Sequence, residues 1–274
     1  KKVAPQTLGW ISAVGSFSSL VAYGTLVVTW KAFNLSFGFV YVTSGAITVL
    51  IAVLCLLFYP RFETPRVQIN KVIIRKKYWL YYALQVMSGA MRQIFLVFAA
   101  FMMVEKFGFE VHELTSLFLI NLMINMLVAP LLGRIVQRFG ERRTLVFEYV
   151  GLALVFLSYG GVYYLGWGVL VAAFLYVVDH IFFGLALALK TYFQKIADPA
   201  DIAPTAAVAF TINHIAAVVL PVTLGLLWLV SPLLVFLIAA GMACVSLSLA
   251  LLIPRHPGPG HETIFKPALT EAAA

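Results

Sequence analysis

Arg92, Asp179, His180 and His214 are ionisable residues set inside long apolar runs, and the amides Gln85, Gln93, Asn121, Asn125 and Asn213 accompany them there. A guanidinium, a carboxyl, two imidazoles and several amides are groups that can hold a polar or anionic solute and carry a proton. Arg92 cannot shed its own proton, so in an apolar medium it needs an anion or water. Histidine titrates near neutral pH, and a carboxyl buried in an apolar place can be shifted toward that range, which makes Asp179, His180 and His214 candidates for a coupling proton. Gln85, Gln93, Asn121, Asn125 and Asn213 would orient a solute by hydrogen bonds around Arg92. The competing readings are structural: an Arg92–Asp179 ion pair, asparagines bonding neighbouring helices, and neutral histidines donating to backbone carbonyls.

Enzyme chemistry finds no matching pattern. His112-Glu113 is followed by Ser116 where a second zinc-binding histidine would stand, and no nucleophile sits beside a base at a recognisable spacing. No metal or cofactor is expected. Cys55 and Cys244 lie in apolar runs without ligand spacing and are expected to be reduced packing residues.

The elements that must position these residues are membrane spans. Charged residues make up 11% of the 274 and apolar residues 62%, against about 25% charged in a soluble domain. Such a chain cannot cover a globule with polar side chains, so lipid must be its solvent. A helix needs about 20 mostly apolar residues to cross the hydrocarbon core. Eight segments qualify: Leu8 to Trp30, Phe37 to Tyr59, Tyr78 to Val104, Glu113 to Gly133, Leu145 to Leu165, Trp167 to Lys190, Thr205 to Leu229, and Ser231 to Ile253. The fold class is therefore an all-α polytopic membrane protein. Rise per residue places Arg92, Asn125, Asp179 and His214 near the bilayer middle, where they could share one cavity.

The net charge of +8 could suggest nucleic acid, but 16 of the 19 basic residues fall on the face that holds the N-terminus, between the spans. That asymmetry implies that both ends are cytoplasmic, with the bilayer and not nucleic acid as partner. Residues 60–77 form a basic linker expected to lie along the membrane surface. The segment 254–274, rich in proline and glycine at its start, is expected to be a flexible tail. The chain begins at Lys1 with no initiator methionine, which leads us to expect that its true N-terminus is missing.

One loop then carries a family likeness. Gly133-Arg134-Ile135-Val136-Gln137-Arg138-Phe139-Gly140-Glu141-Arg142-Arg143 resembles the signature loop of the major facilitator superfamily (MFS) of secondary transporters. Gly133, Arg134, Arg138, Gly140, Glu141, Arg142 and Arg143 match or adjoin the pattern, whereas Gln137 replaces its usual aspartate. In that family the loop follows the second and the eighth spans, and the second placement fits this chain.

The resemblance implies a partial MFS fold, the fifth to twelfth helices of twelve. Residues 1–59 would be the last two helices of the N-terminal bundle, 60–77 the cytoplasmic linker, 78–253 the C-terminal six-helix bundle and 254–274 the tail. The four helices before them would belong to the intact protein. Arg92 would sit on the seventh helix, Asn121 and Asn125 on the eighth, Asp179 and His180 on the tenth, and Asn213 and His214 on the eleventh, all cavity-lining or flanking in the family. The spans without central charge coincide with its outer helices.

The implied function is secondary active transport of a small organic solute by alternating access, proton-coupled, in a cell membrane such as the bacterial inner membrane. Two alternatives stand beside it: proton-coupled efflux of hydrophobic compounds through a pocket of Phe95, Phe98, Phe101, Phe182 and Phe183, and a non-transporting fragment or partner subunit.

Overall fold

The computed structural model describes residues 4–33, 36–58 and 74–265. Most of the expected linker, through residue 73, and the tail from residue 266 lie outside them, as do the first three residues. Helices account for nearly all of the rest: α1 (Ala4–Phe33), α2 (Phe37–Phe58), α3 (Trp79–Gln93), α4 (Ala100–Phe107), α5 (Val111–Phe139), α6 (Glu141–Tyr164), α7 (Val169–Gly184), α8 (Leu187–Ile196), α9 (Ile202–Trp228) and α10 (Pro232–Ala250). No strand occurs among the described residues. Seven spans are long and apolar enough to cross a membrane, and α1, the first expected span, is itself a continuous helix of 30 residues.

Local chemistry sets the boundaries. Gly108 ends α4 in the left-handed region at φ 68°, and Gly140, at φ 83°, makes the one-residue break between α5 and α6, conformations that only glycine adopts without strain. Glu110 and Glu113 close a reciprocal cap on α5, with the Glu110 amide donating to Glu113 Oε2 at 2.9 Å. Pro204 sits in the first turn of α9, where no amide is needed. Pro130 and Pro221, by contrast, lie inside α5 and α9.

Two spans of the sequence are not simple helices. The third runs through α3 and α4 with a π-helical stretch, Ile94–Ala99, between them. The sixth is interrupted at Leu185 and Ala186, whose amides bond back to Phe182 and Phe183 before α8 begins. Both irregularities fall beside the polar candidates.

Packing divides the molecule in two. Helices α3 to α10 share one interior, filled by Tyr78, Tyr149, Tyr159, Tyr192, Phe156 and Phe236 among others. Trp228 gathers its aromatic contacts, stacked on Phe98 and edge-on to Tyr163 and Phe236. Helix α1 lies antiparallel along α5 through small residues. A Cβ on Gly9 would stand 2.5 Å from the Ala129 carbonyl oxygen, and one on Gly133 would stand 2.5 Å from that of Pro5. Such backbone approach is how helices associate where lipid offers no hydrophobic drive. Helix α2 forms no comparable interface, and none of its span is buried.

Two expectations are corrected here. Cys55 and Cys244 are free thiols, but both are exposed on helix surfaces, not packed inside. The tail is not loose where it leaves α10: residues 254–265 fold back as a hook. In it Ile264 N donates to Leu252 O at 3.0 Å, Glu262 and Thr263 are buried, and the Tyr192 hydroxyl donates to Glu262 O at 2.6 Å.

Candidate functional site

Arg92 stands at the end of α3, immediately before the π-helical stretch, with its side chain exposed. It is within electrostatic reach of His180 on α7 and Lys190 on α8. These two residues flank the interruption at Leu185 and Ala186, so three basic side chains surround a break in one helix and a π-turn in another. Phe95, one turn beyond Arg92, lies 6.2 Å from the His180 ring. Gln85 and Gln93 are half-buried on the same helix as Arg92.

Asp179 is adjacent to His180 in sequence but belongs to the opposite environment. It is 0% exposed, with the Tyr159 hydroxyl of α6 and Tyr176 of α7 beside its carboxyl, and among the described residues no cation pairs with it. Consecutive helix positions differ by about 100°, which is enough to turn one side chain inward and the other toward the exposed side. No Arg92–Asp179 ion pair forms.

The amides are dispersed. Asn125 donates to Ser16 Oγ at 2.6 Å and Ser12 Oγ at 3.2 Å, which places it in the seam between α5 and α1. Asn121, one turn away, is buried with both side-chain polar atoms unpartnered. Asn213 packs its Oδ1 directly over Gly89, locking α9 against α3. His214 is exposed, with Nδ1 2.9 Å from the Phe210 carbonyl on its own helix and its ring against Phe210. The expected meeting of Arg92, Asn125, Asp179 and His214 therefore does not occur. Of the phenylalanines weighed for an apolar pocket, Phe95 and Phe98 are core residues, and Phe182 covers Gly151.

The signature loop occupies the basic end of the bundle. Gly133 lets α1 approach α5 closely, and Arg138 lies over the ring of Phe139 at 5.6 Å. Glu141, the first residue of α6 and almost wholly buried, takes Lys195 of α8 at 2.7 Å. Arg134 and Arg143 are exposed, and Arg142 is half-exposed.

Sequence reasoning passed over three groups. Lys190 closes an apolar run and counted only as a loop cation, because the helix interruption that brings it toward Arg92 has no mark in the sequence. Asp201 gathers Arg75 at 3.1 Å, Lys77 at 3.3 Å and the Tyr78 hydroxyl at 3.1 Å, fastening α9 to α3 at the basic end. The nearby Asp198-Pro199 turn was its available signal. Glu105 accepts from Trp228 Nε1 at 2.8 Å at the opposite end. A further carboxyl, Glu148 of α6, is completely buried with no hydrogen bond to either oxygen.

No curated protein matches the chain. The family description of the Major Facilitator Superfamily matches it over residues 1–221, a stretch that takes in the seam of α1 and α5, the signature loop and every polar candidate above. With its all-helical architecture and membrane-length spans, the chain belongs to the major facilitator superfamily of membrane transporters.

Proposed function

We propose that the protein transports a small organic anion, or a solute with an anionic group, and that Arg92, His180 and Lys190 receive it. The observation that carries this reading is the basic cluster at the interrupted α7–α8 span. Transporters place solute sites at broken helices, whose exposed N-terminal amides favour anionic groups. Here the Arg92 guanidinium brings positive potential to such a break, while the Ala188 and Leu189 amides at the start of α8 are bonded to Leu185 O and Ala186 O. Gln85 and Gln93 supply hydrogen bonds from α3. Asn125 and Asn213 contribute by holding helices, and His214 stands outside the cluster.

Asp179 carries the coupling proton in this reading. An ionised carboxylate with no cation beside it costs several kcal/mol in an apolar interior, so proton uptake is what lets the bundle hold this residue. Proton arrival at Asp179 and solute arrival at His180 then act on adjacent residues of one helix, through which alternating access is coupled. The cell membrane is the site of this transport, with the basic end of the bundle cytoplasmic by the positive-inside rule.

The test is solute uptake by cells or proteoliposomes carrying the protein, with organic anions and lipophilic cations offered in parallel. Anion transport that falls in Arg92→Ala and recovers in part in Arg92→Lys supports the reading. Transport of cations alone, or anion transport unchanged in Arg92→Ala, overturns it.

A further inference from the structure

At the basic end, away from the Arg92 cluster, a groove of about 1350 Å³ opens between the α5–α6 turn, the start of α6 and the hook that follows α10. Arg138, Arg142, Arg143, Arg255 and His256 line it, and its one acidic residue, Glu141, is already taken by Lys195. Among the described residues Arg142, Arg143 and Arg255 form no ion pair. The groove therefore holds a surplus of uncompensated positive charge.

Its walls are apolar. Phe147 and Val150 of α6 line the groove, and the same stripe continues along the helix through Leu154 and Leu157, exposed at 62, 40, 60 and 50% in that order. Spacings of three, four and three residues put all four on one face. This stripe runs from the basic mouth into the length of a membrane span, and Leu251 at the end of α10 flanks it, 45% exposed.

We infer that the groove is a binding site for an anionic diacyl phospholipid. The phosphate sits among Arg142, Arg143 and Arg255, and one acyl chain lies along Phe147, Val150, Leu154 and Leu157. Charge selects the headgroup, because each lysine or arginine near an anionic leaflet attracts it. The apolar stripe selects a lipid over a soluble phosphate, which would gain nothing from it. The hook is part of the site: Glu262 O on Tyr192 and Ile264 N on Leu252 hold Arg255 and His256 over the groove. This site is independent of the solute reading, since it shares none of the cluster residues.

The test is native mass spectrometry of the purified protein in detergent, titrated with phosphatidylglycerol, with phosphatidylcholine, and with phosphatidylglycerol in the presence of glycerol 3-phosphate. Wild type should retain one tightly held phosphatidylglycerol and shed phosphatidylcholine. The triple variant Arg142→Gln, Arg143→Gln, Arg255→Gln should weaken retention about fivefold per charge, on the order of a hundredfold in all. The corresponding triple lysine variant should keep it. A control triple, Lys76→Gln, Lys106→Gln and Arg134→Gln, removes equal charge from residues that do not line the groove and should leave retention intact. Equal retention of both lipids, equal loss in the control triple, or displacement by glycerol 3-phosphate overturns the assignment.

Discussion

The two sides of α7 face opposite surroundings. On one side His180 joins Arg92 and Lys190 at an open, basic surface around a helix break. On the other, Asp179 is enclosed with Tyr159 and Tyr176, and among the described residues no cation pairs with it. A cation with an empty surrounding surface invites an anion, whereas a carboxyl with no cation invites a proton. In the transport reading proposed above, function depends on keeping the two apart, since a direct Arg92–Asp179 pair would satisfy both groups and leave neither free.

The comparison is broken most severely by placing a permanent charge on the enclosed side. Asp179→Lys should destabilise the bundle by ~3 to 5 kcal/mol, the cost of an uncompensated buried charge, read as loss of monodisperse protein and a collapsed melting temperature. Full thermal stability in this variant would mean that water reaches the site.

On the open side, Arg92→Ala should leave the melting temperature nearly unchanged and lower anion transport about thirtyfold or more, the low end of what truncating a charged contact costs. The split between stability and transport is the informative reading. A neutral isostere sharpens the enclosed side: Asp179→Asn should fold within about 1.5 kcal/mol of wild type, the scale of one hydrogen bond. Its transport should lose dependence on an imposed pH gradient, and coupling that survives Asn would assign the proton elsewhere, with Glu148 the next candidate. The smallest effect belongs to Lys190→Gln, which should reduce anion affinity about twofold to fivefold, as for a solvent-screened charge, and should do so less at high ionic strength.

The same contrast explains why parts of the site were legible and others were not. Arg92 announced itself because a guanidinium inside an apolar run has no cheap structural use. Asp179 and His180 were legible as polar residues, but their separation was not, because adjacent positions carry no statement of which neighbours surround the helix. Asn121 and Asn125 illustrate the limit further. Their spacing puts them on one face, yet Asn125 meets serines of α1 while Asn121 is enclosed without a partner. Gly9, Ser12 and Ser16, small residues of α1, make its close contact with α5, which composition alone does not assign to a partner helix.

Composition and periodicity alone determined that the chain lives in lipid, that it does so as helices of membrane length, and that its basic residues collect at one end. These follow from local rules: hydrocarbon tolerates only internally bonded backbone, and charge must leave it. Tertiary structure decided the rest. The interruption between α7 and α8 brings Lys190 toward Arg92, Asp179 turns inward, and the segment after α10 folds into a hook that completes a basic groove. Each depends on which helix lies beside which, a long-range choice made by shape and close packing that no single stretch of sequence encodes.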